Sequence, residues 1–211
     1  MSAAAPILHE DAALLVVDKP SGLLTVPGRG PERADCLWAR LRVTHAEARI
    51  VHRLDEATSG LVVFARTAHA HRRLARAFER REVDKRYVAI VHGCVRADAG
   101  SVELPLAPDW PRRPRQRIDV SHGRAAVTHW RVLARAADGG STRLELAPVT
   151  GRTHQLRVHL EALGHPILGD ALYAPLDVRA RASRLLLHSS RLSLAHPFES
   201  RSLVFESPAP F

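Results

Sequence analysis

Two runs, Leu14-Leu15-Val16-Val17 and Leu61-Val62-Val63-Phe64, are apolar at every position. An amphipathic helix or a strand with one wet face leaves polar gaps, so unbroken runs of this length predict buried strands. The first is closed by Asp18-Lys19-Pro20-Ser21-Gly22, a cluster of turn-forming residues. Whatever fold this chain adopts must cover both runs.

The rest of the chain alternates elements without a regular strand-helix-strand period. Thr67 is placed to cap a helix that runs to about Arg81, with Leu74 and Phe78 four residues apart on its inner face. Tyr87 to Val91 reads as a strand ended by Gly93, and Ala125 to Ala134 and Thr142 to Val149 as long strands. A helix from about Thr153 to Leu163 carries Leu156, Leu160 and Leu163 at helical spacing, with Gly164 past its end. Shorter strands are expected near Leu185 to Leu187, Leu192 to Leu194 and Leu203 to Phe205. Strands outnumber helices and come in hairpin-like pairs, which predicts an α+β fold on a mixed, mainly antiparallel sheet. At 211 residues one domain spanning 1–211 is the expectation. Pro105 to Arg117 stands apart. Prolines at 105, 108, 111 and 114 rule out regular helix, and Arg112, Arg113, Arg115 and Arg117 fill the gaps, so an exposed basic loop is expected.

Charge narrows the partner. Lys and Arg number 31 against 22 Asp and Glu, a formal net charge of +9. Only Lys19 and Lys85 are lysines, so nearly all the cations are guanidinium groups, which bind phosphates in a planar fork and stack on bases. A basic domain of this kind fits a nucleic-acid partner. Cys36 and Cys94 stand far apart and outside any zinc-ligand spacing, which argues against a structural metal and a disulfide framework. The opening Met1-Ser-Ala-Ala-Ala-Pro lacks a secretory leader's pattern, and no apolar run approaches a membrane span, so a reduced cytoplasmic setting is expected.

One loop carries the chemistry. Val51-His52-Arg53-Leu54-Asp55-Glu56-Ala57-Thr58-Ser59-Gly60-Leu61 feeds the second apolar run. Alone, it is a turn in which Asp55 caps a local hydrogen bond and Thr58-Ser59-Gly60 turns the chain. The pattern His-Arg-Leu-Asp-x-x-Thr-Ser-Gly, however, is the signature of the RluA family of pseudouridine synthases, and other segments agree in order and spacing. Asp18-Lys19-Pro20-Ser21-Gly22 resembles that family's early turn. Lys85-Arg86-Tyr87-Val88-Ala89 resembles its second motif, and Thr150-Gly151-Arg152-Thr153-His154-Gln155-Leu156-Arg157-Val158-His159 its third. Gly164-His165-Pro166-Ile167-Leu168-Gly169-Asp170 and Leu187-His188 extend the likeness over nearly the whole chain. Pro20-Ser21-Gly22-Leu23-Leu24-Thr25-Val26-Pro27-Gly28-Arg29 and Asp109-Trp110-Pro111-Arg112-Arg113-Pro114 resemble the dual-specificity branch, which implies a tRNA anticodon loop (position 32), a 23S ribosomal RNA hairpin, or both as targets, with a different tRNA or ribosomal RNA uridine the alternative.

The resemblance implies a pseudouridine synthase catalytic fold with helices and loops around a central cleft. It also implies no N-terminal S4-type domain, because the turn around Lys19 comes so early. The implied reaction detaches uracil, rotates it and rejoins it through carbon, with no metal or cofactor; one carboxylate suffices, as nucleophile or as base. Asp55 is that carboxylate. The third motif's Arg157 is expected to pair with it and hold it ionised, and Tyr87 to pack on the uracil. Leu156 is a candidate for the base's other side, with an ordinary core leucine the alternative. The target base must leave its stack, and Arg53 is the candidate to fill the gap, with a phosphate contact or an ion pair the alternative. His52 is expected to orient the loop by a hydrogen bond. Arg152, Lys85, Arg86, Arg112, Arg113 and Arg115 are candidates for RNA backbone contacts. The expected partner is RNA, with no membrane, and a monomer is the default.

Two other classes compete: an RNA-binding module without catalysis, and a metal-dependent hydrolase drawing on the 13 histidines. His154 and His159 are five apart and so do not share a helix face as zinc ligands would.

Overall fold

The computed structural model describes residues 5–211. Residues 1–4, which begin the segment expected to lack a leader's pattern, lie outside the described residues. The described strands are β1 (Ile7–Glu10), β2 (Leu14–Lys19), β3 (Arg49–Ile50), β4 (Ser59–Ala65), β5 (Asp84–His92), β6 (Ala99–Val102), β7 (Leu106–Pro108), β8 (Gln116–Ile118), β9 (Thr128–Arg135), β10 (Ser141–Pro148), β11 (Leu187–Ala195) and β12 (Ser202–Glu206). The α-helices among these residues are α1 (Leu37–Leu41), α2 (Ala68–Glu79), α3 (Gln155–Ala162) and α4 (Leu176–Arg179). The β1–β2, β2–β4, β5–β10, β9–β10 and β11–β12 pairings are antiparallel and helices are few, which makes the fold α+β with a mostly antiparallel sheet dominant.

The chain divides into two compact units, one running up to Lys85 and resuming at Ser189–Pro210, the other Arg86–His188 with Phe211. In the first, the two apolar runs lie side by side. β2 pairs with β4 in antiparallel register, Leu14 opposite Ala65 and Val17 opposite Val62, and both strands are buried almost throughout. Burial on both faces is what their unbroken apolar pattern demands. Leu14, Val16, Leu61 and Val63 share one core with Leu192 and Leu194 of β11, Leu203 of β12, and Ala70 and Leu74 of α2. Each buried leucine contributes roughly 1.5–3 kcal/mol. The α2 helix starts where the sequence indicates: the Thr67 hydroxyl accepts from the Ala70 N–H at 3.0 Å.

The second unit is built on β5-β10-β9-β6. Burial alternates strictly along β10, with Leu144 and Leu146 inward, as expected of a strand with one covered face. Val158 of α3 packs with Leu106, Ala126 and Tyr173.

The structure departs from the sequence reading in three places. Pro105–Arg117 is not an irregular loop: β7 and β8 pair as a hairpin, with Leu106 opposite Ile118, around a 3-10 turn at Trp110–Arg112. Prolines block helix but are tolerated at a strand end, where Pro108 sits. The two short strands expected near 185–187 and 192–194 are one strand, β11, whose pattern is broken by Ser189, Ser190 and Arg191. Ser59 and Gly60 do not turn the chain; they begin β4. Gly60 has φ +107, and a Cβ there would lie 2.3 Å from the Ser189 carbonyl oxygen, so only glycine fits. The sequence pattern also gives no sign of the short strands β1, β3 and β6 or the short helices α1 and α4.

Candidate active site

Asp55 sits half-buried in the loop between β3 and β4, and that loop is held mostly through its backbone. The Thr25 hydroxyl donates to the Leu54 carbonyl at 2.8 Å and accepts from the Leu54 N–H at 3.1 Å, and Thr25 is itself buried. The Lys19 ammonium is wholly buried and donates to the carbonyls of Pro20, Leu23 and Glu56 at 2.9, 2.7 and 3.0 Å. Ser21 Oγ donates to the Ala57 carbonyl, and the Gly22 N–H donates to the Glu56 carbonyl. The Thr58 N–H donates to the carbonyl of Asp55 itself at 3.1 Å. The residues on either side of Asp55 are thus fixed by the turn that follows β2. This explains physically why the two motifs occur together: the first is the clamp and the second carries the carboxylate.

His52 does orient the loop. Its Nε2 accepts from the Val63 N–H at 3.0 Å, and its ring stacks on Phe78 of α2 with centroids 4.4 Å apart. Burial, helped by the nearby Lys85 ammonium, pushes the imidazole pKa down to about 3. The ring is therefore neutral, with its proton on Nδ1, and suits alignment rather than proton transfer at neutral pH. Lys85 is half-buried, and burial followed by Arg81 lowers its own pKa, against the opposing pull of Asp84. Arg53 is exposed on the loop. Glu56 forms an exposed ion pair with Arg33 at 2.7 Å.

In the second unit, Arg157 is buried on α3 and forks onto Asp170. Its Nε donates to Oδ2 at 2.8 Å and its Nη2 to Oδ1 at 2.6 Å. Asp170 Oδ1 also accepts from the N–H groups of Leu172 and Tyr173. The guanidinium lies 5.0 Å from the centre of the Tyr173 ring, with Arg115 at 5.1 Å from the same ring. Two of the five N–H groups on Arg157 are committed to Asp170, so the side chain is preset before any ligand arrives. Gly169, at φ +74, sets up this pair, because a Cβ there would overlap the Arg184 carbonyl at 1.9 Å.

The start of α3 is held by Gln155. Its Oε1 accepts from the Thr150 hydroxyl at 2.7 Å and the Arg152 N–H at 3.0 Å, and its Nε2 donates to the Val127 carbonyl and Thr128 Oγ1. His159 is buried between Thr128 Oγ1 and the Leu104 carbonyl, and burial lowers its pKa. His154 caps the helix in a left-handed conformation, and its Nδ1 lies 2.7 Å from the Tyr173 hydroxyl. Both histidines of the third motif therefore hold structure. Arg152 is half-buried, with Nε donating to the Ala125 carbonyl at 3.1 Å. Leu156 is buried, while Tyr87 and Arg86 are half-buried on β5.

At the β7–β8 hairpin, Arg112 and Arg113 are exposed and Arg115 is half-buried. Arg112 pairs with Asp109 at 2.7 Å, and Arg113 stacks 3.6 Å above the Trp110 ring. Arg115 faces Glu161 at 3.7 Å in addition to the Tyr173 ring, so it braces the hairpin. Among the described residues, no cluster of three or more His, Cys, Asp or Glu is placed to hold a metal ion, and no helix is long and apolar enough to cross a membrane.

Sequence reasoning gave no role to Lys19, Thr25, Gln155, Asp170 or Tyr173. Four of these lie within or beside the motifs, but their partners are mostly backbone groups, which a sequence does not display.

A family model described as RNA pseudouridylate synthase matches residues 13–162. The chain is 49% identical over 205 residues to the dual-specificity RNA pseudouridine synthase RluA of Escherichia coli K12, covering 97% of this chain and 93% of that protein. It is 48% identical to the protein of the same name from Yersinia pestis, covering 97% and 99%. Among solved structures, human RNA Pseudouridylate Synthase Domain Containing 1 superposes with a TM-score of 0.81 at 29% identity, covering 98% of this chain and 84% of that one. The Asp55 loop and the α3 segment both fall within the matched residues, and the chain belongs to the RNA pseudouridylate synthase family, in its RluA group.

Proposed function

We propose that this chain isomerises uridine to pseudouridine in stem-loop RNA, with Asp55 as the reacting carboxylate and both a tRNA anticodon loop (position 32) and a 23S ribosomal RNA hairpin as substrates. The observation that carries the reading is the Asp55 loop. Its backbone is fixed by the buried Lys19 and Thr25, while the adjacent Arg53 is left exposed. A buried ammonium is costly unless it is hydrogen-bonded, and one of the three bonds that satisfy Lys19 ties the Asp55 loop, through the Glu56 carbonyl, to the turn after β2.

In this reading Asp55 acts on the ribose of an extruded uridine. Arg157, preset by Asp170, is the cation that keeps the carboxylate ionised. Tyr87 and Leu156 pack on the uracil, and Arg53 fills the space it vacates. Isomerisation returns the base to the same sugar, so no water is consumed and the second carboxylate of a hydrolase is not required. Arg152, Lys85, Arg86, Arg112, Arg113 and Arg115 supply positive charge toward the RNA backbone, Arg115 by fixing the hairpin as much as by touching phosphate. The dual target is supported by the relatives at 48–49% identity over 97% of this chain, which are named dual-specificity RNA pseudouridine synthases. The proposed setting is the cytoplasm, and the proposed working form is a monomer.

The test is to map carbodiimide-reactive pseudouridines in tRNA and ribosomal RNA from cells with and without the gene. Loss of one site in each RNA is the expected result. Loss in one RNA alone restricts the target, and loss in neither refutes this substrate assignment.

A further inference from the structure

The tip of the β7–β8 hairpin presents an aromatic surface that the reaction does not use. Trp110 is 64% exposed, although a tryptophan of this size is normally covered in a folded domain. The Arg113 guanidinium lies 3.6 Å from the ring centre and covers one face. The level of exposure leaves much of the remaining indole surface open to solvent. Four arginines stand against one aspartate between positions 109 and 117, and that aspartate, Asp109, is buried and paired with Arg112 at 2.7 Å.

The tip is held in shape. The Asp109 N–H donates to the Arg115 carbonyl at 2.9 Å, the Arg112 N–H to the Asp109 carbonyl at 3.0 Å, and the Arg115 N–H to the Arg112 carbonyl at 3.0 Å. Below it, the Gln116 N–H donates to the Tyr173 hydroxyl at 2.8 Å. The aromatic surface is therefore presented by a rigid turn and needs little ordering on contact.

We propose that Trp110, backed by Arg113, is a stacking platform for an unpaired nucleobase of the substrate stem-loop, and so helps the enzyme distinguish looped from fully paired RNA. This rests on the RNA-modifying reading above and adds a base contact to a hairpin so far credited only with phosphate contacts. A flat ring takes the face of any base, and the guanidinium behind it adds charge without requiring a sequence. Bases inside a duplex have their faces covered, so the platform selects single-stranded nucleotides.

The test compares Trp110→Ala and Trp110→Phe with the unaltered enzyme, measuring the dissociation constant for an anticodon stem-loop RNA and for a fully paired RNA of the same length. Trp110→Ala is expected to weaken stem-loop binding roughly ten- to a hundredfold with little change on the duplex. Trp110→Phe should recover most of the loss. The salt dependence should be unchanged, since no charge is removed. Equal loss on both RNAs, or stem-loop binding within twofold of the unaltered enzyme, overturns the proposal. Product formation by Trp110→Ala at saturating RNA separates this outcome from failure of the catalytic reading, which would instead show as activity that survives loss of the Asp55 carboxylate.

Discussion

Arg157 and Asp170 form a buried two-bond fork, at 2.8 and 2.6 Å, inside the second structural unit. A buried ion pair adds little net stability when intact, but removing one partner is costly. Asp170→Ala should therefore destabilise the protein by roughly 3–5 kcal/mol, read as a lower urea midpoint. Asp170→Asn keeps the shape and one acceptor oxygen, so it should cost less stability yet still lower kcat, because Arg157 loses its preset orientation. Full activity in Asp170→Asn would show that the pair is structural only.

Thr25 makes both of its hydrogen bonds to Leu54, one residue before Asp55. Thr25→Val has nearly the same shape and removes both. The expected result is a fall in single-turnover rate of about a hundredfold, since a displacement near 1 Å at a reacting group costs that much. Thr25→Ser should restore the rate. Equal rates in all three proteins would mean that the hydroxyl does not position the loop.

His52 predicts a pH signature. Its imidazole titrates at about 3 in the fold against 6.5 ordinarily, so the unfolded chain takes up that proton first as pH falls. Stability from this residue is complete above about pH 6.5 and is lost between there and about pH 3, at up to ~1.4 kcal/mol per pH unit. Burial moves His159 in the same direction. The stability gap between the unaltered protein and His52→Gln should narrow from pH 7.5 to pH 5 in urea titrations. A gap that stays constant would place the charge change elsewhere.

Arginines of the hairpin should divide by exposure. Arg113→Ala is expected to reduce the slope of log affinity against log salt by about 0.7–0.9, one phosphate's worth, with the fold intact, whereas Arg112→Ala should also lower stability because it leaves the buried Asp109 carboxylate without its cation. Arg115→Ala should lower the melting temperature instead, because Arg115 is half-buried between the Tyr173 ring and Glu161. Filter binding across salt concentrations and a thermal melt separate the two.

Much of this fold was legible where a single physical demand governs a segment. Leu14–Val17 and Leu61–Phe64 had to be buried strands, and Thr67 had to begin a helix, because side chains alone settle those points. The prolines of Pro105–Arg117 break helix without forbidding a short paired edge, so the sequence pattern points to a loop where the fold has a hairpin. Ser189, Ser190 and Arg191 interrupt the apolar pattern of β11, so the sequence suggests two short strands where the fold has one. The Asp55 loop was recognisable through resemblance, and its orienting histidine was anticipated. Its clamps were not, since Lys19 and Thr25 act on carbonyls and N–H groups that every residue carries. Asp170 was quoted within a motif, but its pairing with Arg157 depends on a fold that brings positions 157 and 170 together.

In the proposed mechanism Asp55 performs the chemistry and is not needed to hold RNA. The most direct measurement is pseudouridine formation and RNA affinity, side by side, for Asp55→Asn on an anticodon stem-loop and a 23S ribosomal RNA hairpin. Product should fall below detection on both RNAs while the dissociation constants stay within a few fold of the unaltered enzyme. Pseudouridine formed by Asp55→Asn at an appreciable rate would mean that another group carries the reaction.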